Sequence, residues 1–256
     1  MSYPGIPEGK YLTSIQYVGM ENSCSQVIVP MKKAAFNYPL FINLENRLVV
    51  IVGAGEVGRR KLAGLLQIGA QVRLIDPRMS EEITNLPGVE TLKRNFGVGD
   101  LANSVLVFAC TDSPEVNRLV VKEAQRRKIF CSSVDNPDRG DFILPAILRR
   151  GPLTLAISTA GGSPALAAQI RDRLAEEVHD SWGIAVEIIA AVRRKWLTEE
   201  VGDQYNQQIL RSFWERKLIP AIEKNDHQTI DRLLRETFGE AFSLASLKIR
   251  LPEGMP

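Results

Sequence analysis

The chain has 256 residues, 45% of them hydrophobic and 24% charged, with 19 glycines and 14 prolines. At roughly 150 residues per domain, that is one domain plus a remainder of about 100, and the composition excludes collagenous, coiled-coil and wholly disordered chains. The 32 Lys and Arg nearly cancel 30 Asp and Glu, leaving a formal charge of +2, so no global basic field points to nucleic acid.

In chain order, residues 1–35 read as a poorly ordered extension without the architecture of an export signal. A strand over residues 25–29 is the alternative. Residues 47–52 read as a strand whose apolar run from Leu48 to Val52 marks burial, followed by a helix to about Ile68. Strands at 72–76, 89–93, 105–109 and 129–134 alternate with helices at 80–86 and from Ser113-Pro114 to Arg127. The serine caps that last helix and the proline suits its first turn. The alternation predicts an α/β fold, a doubly wound parallel sheet over residues 36–141.

The rhythm breaks after Asp135. Strands are expected at 142–146 and 153–158 around a Gly151-Pro152 turn, and with no crossover helix between them they would pair antiparallel. Ser163-Pro164 opens a helix to about Val178. Residues 180–242 are helical in period, including 182–196 and 205–217. The longest apolar runs fall far short of the ~20 residues of a membrane helix. Cys24, Cys110 and Cys131 form no CxxC pair, which fits a reduced, cytoplasmic protein.

The run Gly53-Ala54-Gly55-Glu56-Val57-Gly58 lies between a strand and a helix, and Asp76 closes the next strand 18 residues after Gly58. Gly53 suits a tight turn, Gly55 close approach of a pyrophosphate, and Gly58 close helix–strand packing. Amides at the helix start, those of Glu56 and Val57 included, then face the phosphate charge. Asp76 can accept from ribose hydroxyls and favours NAD over a 2′-phosphorylated cofactor, with Arg73 and Arg78 nearby as counter-indications. Thr111 and Asp112 end the 105–109 strand, where such sheets bind ligands; turn and capping chemistry is the plainer account of them.

Asp135 ends another strand facing the same crevice. It is placed to take or deliver a proton, or simply to start the Asn136-Pro137 turn. The loop Ser158-Thr159-Ala160-Gly161-Gly162 can hold an anion on its backbone amides or merely join a strand to a helix. Arg139, Arg149, Arg150, Arg171 and Arg173 surround these loops and suit carboxylate clamps. His179 and His227 have no ligand-like partners, so no resident metal site is expected.

In order along the chain stand Gly53-x-Gly55-x-x-Gly58-Arg59-Arg60-Lys61, Thr111-Asp112, Asn117-Arg118, Ile129-Phe130-Cys131, Val134-Asp135, Phe142-Ile143-x-Pro145, Ser158-Thr159-x-Gly161-Gly162-Ser163-Pro164 and Arg211-x-Phe213-Trp214-Glu215. Together, over about residues 36–242, they resemble the precorrin-2 dehydrogenase/sirohydrochlorin ferrochelatase module of siroheme synthase. The resemblance implies NAD⁺-dependent oxidation of precorrin-2 to sirohydrochlorin, followed in many members by insertion of Fe²⁺ as a substrate. It places Asp135 at the residue implicated in both steps. Ser158, Thr159, Gly161, Gly162, Arg139 and Arg149 then serve a substrate with eight carboxylates. Thr159 stands where the family often has a modifiable serine, and precorrin-2 would come from another protein.

The resemblance further implies a homodimer. Residues 142–178 would form a small α/β dimerisation segment, and 179–256 a helical C-terminal domain over the active site. Two other readings stay open: a dehydrogenase without chelatase activity, and an NAD-sensing module without catalysis. No nucleic acid or membrane partner is expected.

Overall fold

The computed structural model describes residues 37–136, 139–198, 213 and 218–252. The expected N-terminal extension, most of the helix at 205–217, and Arg211, Trp214 and Glu215 lie outside the described residues.

Five strands build the central sheet: β1 (Leu48–Val52), β2 (Gln71–Ile75), β3 (Val89–Leu92), β4 (Leu106–Ala109) and β5 (Phe130–Ser133). They are parallel throughout, in the order β3-β2-β1-β4-β5. Alternate residues of the same apolar runs serve opposite faces. Val49, Ile51, Leu74 and Phe108 pack with Leu62 and Leu65 of helix α1 (Glu56–Leu66). Val50, Val52, Ile75, Val107 and Ala109 pack with Val120, Val121 and Ala124 of α3 (Pro114–Arg127). A short helix α2 (Glu81–Thr84) precedes β3. The strand order reverses between β1 and β4, which opens a crevice at their carboxyl ends.

Helix α3 forms for the reasons its sequence gives. The Ser113 hydroxyl accepts the Val116 N–H, Pro114 occupies the first turn, and Lys128 at φ 58° ends the helix in the left-handed region.

After β5 the outcome differs from expectation. Residues 142–145 are not a strand, although they are apolar. The Asp141 N–H donates to the Cys131 carbonyl (2.7 Å), its carboxylate accepts the Cys131 N–H (2.9 Å), and Phe142 turns under the sheet edge-to-face on Phe108 at 5.6 Å. The antiparallel pair is instead β6 (Ala146–Arg150) with β7 (Leu153–Ile157). A two-residue turn at Gly151-Pro152 pairs Arg150 with Leu153, and that register fixes the strand starting at Ala146.

Ser163 caps α4 (Pro164–Glu177) through the Leu166 N–H. Beyond it lie α5 (Asp180–Thr198), α6 (Leu218–Glu223), α7 (His227–Phe238) and α8 (Leu244–Leu247). The uniform helical period hides a break at Asn225 (φ 51°), after which Asp226 caps α7. Helix α8, capped by Ser243, falls beyond the expected helical limit at Phe242. These helices share a core of Ile188, Val192, Phe213, Leu218, Ile222, Ile230 and Leu234. Arg150 ties the hairpin to the end of α4 by donating to the carbonyls of Ala175 and Val178. Gly183 lets the turn approach α5, because a Cβ there would strike the Arg150 carbonyl. Among the described residues no helix is long and apolar enough to cross a membrane.

Candidate active site at the carboxyl ends of the sheet

A cavity of about 670 Å³ opens at the ends of β1, β2 and β4, within the range of small-molecule sites. Its floor is the glycine run, in which each glycine has a separate reason. Gly53 sits at φ 105°, where a Cβ would collide with the Cys110 carbonyl. A Cβ on Gly58 would collide with the Gly53 carbonyl, so that residue allows helix and strand to touch. A Cβ on Gly55 would meet no protein atom within 4 Å: the space it leaves is open cavity. Gly55 also begins α1 with no side-chain cap, so the helix presents its first amides to whatever enters. Glu56 and Val57 lie on that first turn and are not among the residues that line the cavity.

Asp76 lies at the end of β2 and lines the cavity. One carboxylate oxygen accepts the Ala54 N–H (2.7 Å) and the other the Arg78 N–H (2.7 Å), so the residue also pins the glycine loop. Of the two arginines noted in the sequence, Arg73 is engaged away from the cavity, whereas Arg78 lines it. Arg73 donates to Glu90 and to the Asp100 carbonyl, and Arg78 forms an exposed pair with Asp112 at 2.9 Å. Arg59, absent from the sequence-based set, lines the cavity and donates to the Ala54 carbonyl.

Thr111 leads from this cavity to Asp135 through one side chain. Asn117 is fully buried; its Oδ1 accepts from the Thr111 N–H and hydroxyl, and its Nδ2 donates to the Thr111 carbonyl (3.0 Å) and to Asp135 Oδ1 (3.2 Å). The Ser133 hydroxyl donates to the same Asp135 oxygen at 2.5 Å. These donors, Ser133 first, together with the nearby Arg139 charge, hold the Asp135 carboxyl below its ordinary range despite partial desolvation. Asp135 is thus an exposed, oriented carboxylate. Sequence reasoning missed Asn117 and Ser133 as site residues, yet both leave a signal. Asn117 is the polar member of an otherwise apolar buried stripe with Val120, Val121 and Ala124, and Ser133 shares a strand side with Asp135 two residues on.

The remaining expected residues lie apart. Ser158, Thr159, Gly161 and Gly162 do not line the cavity. Their loop closes on itself: the Thr159 hydroxyl donates to the Ser163 carbonyl and accepts its N–H, and Ala160 and Gly161 take left-handed conformations. Arg149 lies on β6 opposite Thr154. Arg139 lines a second cavity on the outer side of α3.

The two described cysteines are buried thiols. Burial pushes Cys110 to about 11 and Cys131 to about 12, which disqualifies both as nucleophiles at neutral pH. Lys61 stands 4.6 Å over the Phe108 ring, its pKa lowered by burial. Among the described residues no cluster of three or more His, Cys, Asp or Glu is placed to hold a metal.

An NAD(P)-binding family model matches residues 40–146, and the sirohaem biosynthesis protein central model matches residues 150–177. Siroheme synthase 2 of Aeromonas salmonicida is 36% identical over 80% of this chain and 43% of its own length. The siroheme synthase of Nitrosomonas europaea is 36% identical over 70% of this chain and 38% of its own. The chain therefore spans less than half of the curated relatives it matches. A solved structure described as SirC, precorrin-2 dehydrogenase, is 27% identical, covers 73% of this chain and 100% of that one, and superposes with a TM-score of 0.53. The nucleotide-binding region, the sirohaem central segment and this fold follow one another in a single chain, which is similar over this stretch to part of the siroheme synthases and to a precorrin-2 dehydrogenase.

Proposed function

We propose that the protein oxidises precorrin-2 to sirohydrochlorin with NAD⁺ and then inserts Fe²⁺ to give siroheme. The observation that carries this reading is the Thr111–Asn117–Asp135 relay, which links an oriented carboxylate to the crevice at the carboxyl ends of the sheet. A nucleotide-sensing module would need the glycine loop but would leave this relay without a task.

The residues fit NAD. Open space at Gly55, the uncapped start of α1 and the amides of Glu56 and Val57 suit a pyrophosphate. Asp76 suits ribose hydroxyls and repels a 2′-phosphate, while Arg73 is engaged with Glu90. Thr111 and Asp112 would flank the reacting end. When bound, NAD⁺ supplies the hydride acceptor.

The chain's own residues handle the proton. Loss of a hydride from the macrocycle must be matched by loss of a proton, and the Asp135 oxygen not held by Ser133 and Asn117 would receive it. Covering that carboxylate with a large ring raises its proton affinity toward what a base needs. Fe²⁺ entry displaces pyrrole N–H protons, which the same oxygen can accept.

The homodimer belongs to this proposal, with residues 142–178 as its interface and 179–256 as a cover. Helix α4 fully buries only Ala167, while Leu166, Ile170 and the β6 residue Ile147 are 48%, 39% and 42% exposed. A second subunit would cover them and bring Ser158–Gly162 to the crevice, with Arg139 and Arg149 on substrate carboxylates. Buried free thiols suit a reducing, cytoplasmic location. A dehydrogenase without chelatase activity is the second reading, favoured by the likeness to SirC, whose description carries the dehydrogenase activity alone.

The test supplies precorrin-2 and NAD⁺ anaerobically, follows sirohydrochlorin absorbance, and then adds Fe²⁺. NAD⁺-dependent oxidation supports the enzyme and its absence rejects it. Metal insertion no faster than without protein selects the second reading.

A further inference from the structure

The outer face of α3 carries charge that the folded chain does not neutralise. Arg118, Lys122 and Gln125 recur at helical spacing on one exposed stripe, about half a turn round from Ser113, Val116 and Leu119, which meet the nucleotide cavity. With Val121 as a wall, the stripe faces Arg139 and Asp141 across a cavity of about 520 Å³. Elsewhere on the same helix the cations are satisfied: Arg126 and Arg127 both clamp Glu123, at 2.7 and 2.5 Å. Among the described residues, Arg118, Lys122 and Arg139 form no ion pair. Asp141, the carboxylate among the lining residues, already accepts the Cys131 N–H, and Arg139 acts on Asp135 only through space. Three cations converging on one cavity repel one another until an anion enters.

The place of this cavity says which anion. Arg139 lines this cavity and its charge reaches Asp135, so the anion sites lie near the proposed proton acceptor, and none of the residues lining this cavity lines the nucleotide cavity. Its volume admits acetate or propionate arms.

We propose that this cavity is a carboxylate subsite in which Arg118 and Lys122, with Arg139, hold acidic arms of the tetrapyrrole and so set the ring over Asp135. The proposal rests on the tetrapyrrole reading above and assigns two residues to it. Charge-assisted hydrogen bonds from a guanidinium fork and an ammonium give the subsite both affinity and orientation.

The test titrates uroporphyrin, a porphyrin with eight carboxylates, into the full chain and follows its fluorescence, with NAD⁺ binding as the control for folding. The double variant Arg118→Glu/Lys122→Glu should bind the probe at least about tenfold more weakly and with a shallower salt dependence, while NAD⁺ affinity stays within about twofold. Arg118→Gln alone, which keeps the stem and removes the charge, should show a smaller loss in the same direction and stands in if the double variant fails to bind NAD⁺. With precorrin-2 the loss should fall on KM rather than kcat. Equal probe affinity in wild type and variants overturns the subsite, as does a wild-type protein that does not bind the probe. Arg118-dependent binding without precorrin-2 oxidation would instead keep the anion subsite and reject the catalytic reading.

Discussion

Around β1–β5 the polar groups are held by neighbours in the same chain: Asp76 by the Ala54 and Arg78 amides, Asn117 by Thr111, and Asp135 by Ser133 and Asn117. From Ala146 to Glu177 the difference lies in apolar surface: the hairpin pairs with no other strand, and α4 leaves Leu166 and Ile170 open to water. The difference teaches that one region is organised to receive a small ligand, whereas the other carries an apolar surface and a glycine-rich loop that one chain does not put to use.

The comparison can be broken most sharply at Asp135. Asp135→Ala should lower oxidation of precorrin-2 by about 100-fold or more with NAD⁺ affinity retained; turnover close to wild type would remove Asp135 from the chemistry. The glycines come next. Gly55→Val should weaken NAD⁺ binding about a hundredfold, equivalent to roughly 2.7 kcal/mol, with little change in melting temperature, because no protein atom opposes the new side chain. Gly58→Val should unfold the domain instead, because its Cβ meets the Gly53 carbonyl. Calorimetry and NAD⁺ titration on the pair separate a ligand contact from a packing contact.

The open region is tested by Leu166→Glu/Ile170→Glu. Sedimentation should show monomers in place of dimers, with NAD⁺ binding intact and tetrapyrrole turnover lost. A variant that stays dimeric moves the interface elsewhere.

Smaller effects probe how finished the first region is. Asn117→Ala should lower kcat by about tenfold and move the acid limb of the pH profile upward, because an N–H donor that favours the Asp135 anion is lost. An unmoved limb would leave Asn117 a packing residue. Glu123 supplies the smallest test. Arg126 and Arg127 hold its carboxyl down at about 2, against about 4.3 in an unfolded chain. Its contribution is present above the unfolded value and disappears as pH falls toward 2. Glu123→Gln should therefore melt below wild type at pH 7, with the gap closing between about pH 5 and pH 2.

Much of this was legible in the sequence because single residues carry single physical jobs. The runs at β1 and β4 announce burial on both faces, Gly53, Gly55 and Gly58 announce a strand–helix turn, and Ser113-Pro114 and Ser163-Pro164 announce helix starts. Residues 142–145 misled because an apolar run reads alike whether it pairs as a strand or packs one aromatic ring on another, as Phe142 does on Phe108. The break at Asn225 was hidden because a left-handed residue leaves hydrophobic periodicity untouched. Asp135 read as a turn or a base from local sequence. Its partner Asn117 lies 18 residues away, a distance that only the crossover of α3 closes. The separation of Ser158–Gly162 from the crevice was also beyond local pattern, since spacing along a chain says nothing of which loops the fold brings together.

The return of Asp141 along β5 has a further consequence. A parallel sheet that stops after five strands exposes on its last strand a row of amides and carbonyls on which other chains can nucleate, the first step toward fibrous aggregates. Here a single aspartate answers both groups of Cys131, with its N–H on the carbonyl and its carboxylate on the amide. Two bonds from a non-strand residue thus stand in for a sixth strand, and the sheet can end at the rim of the candidate site without inviting a neighbour to extend it.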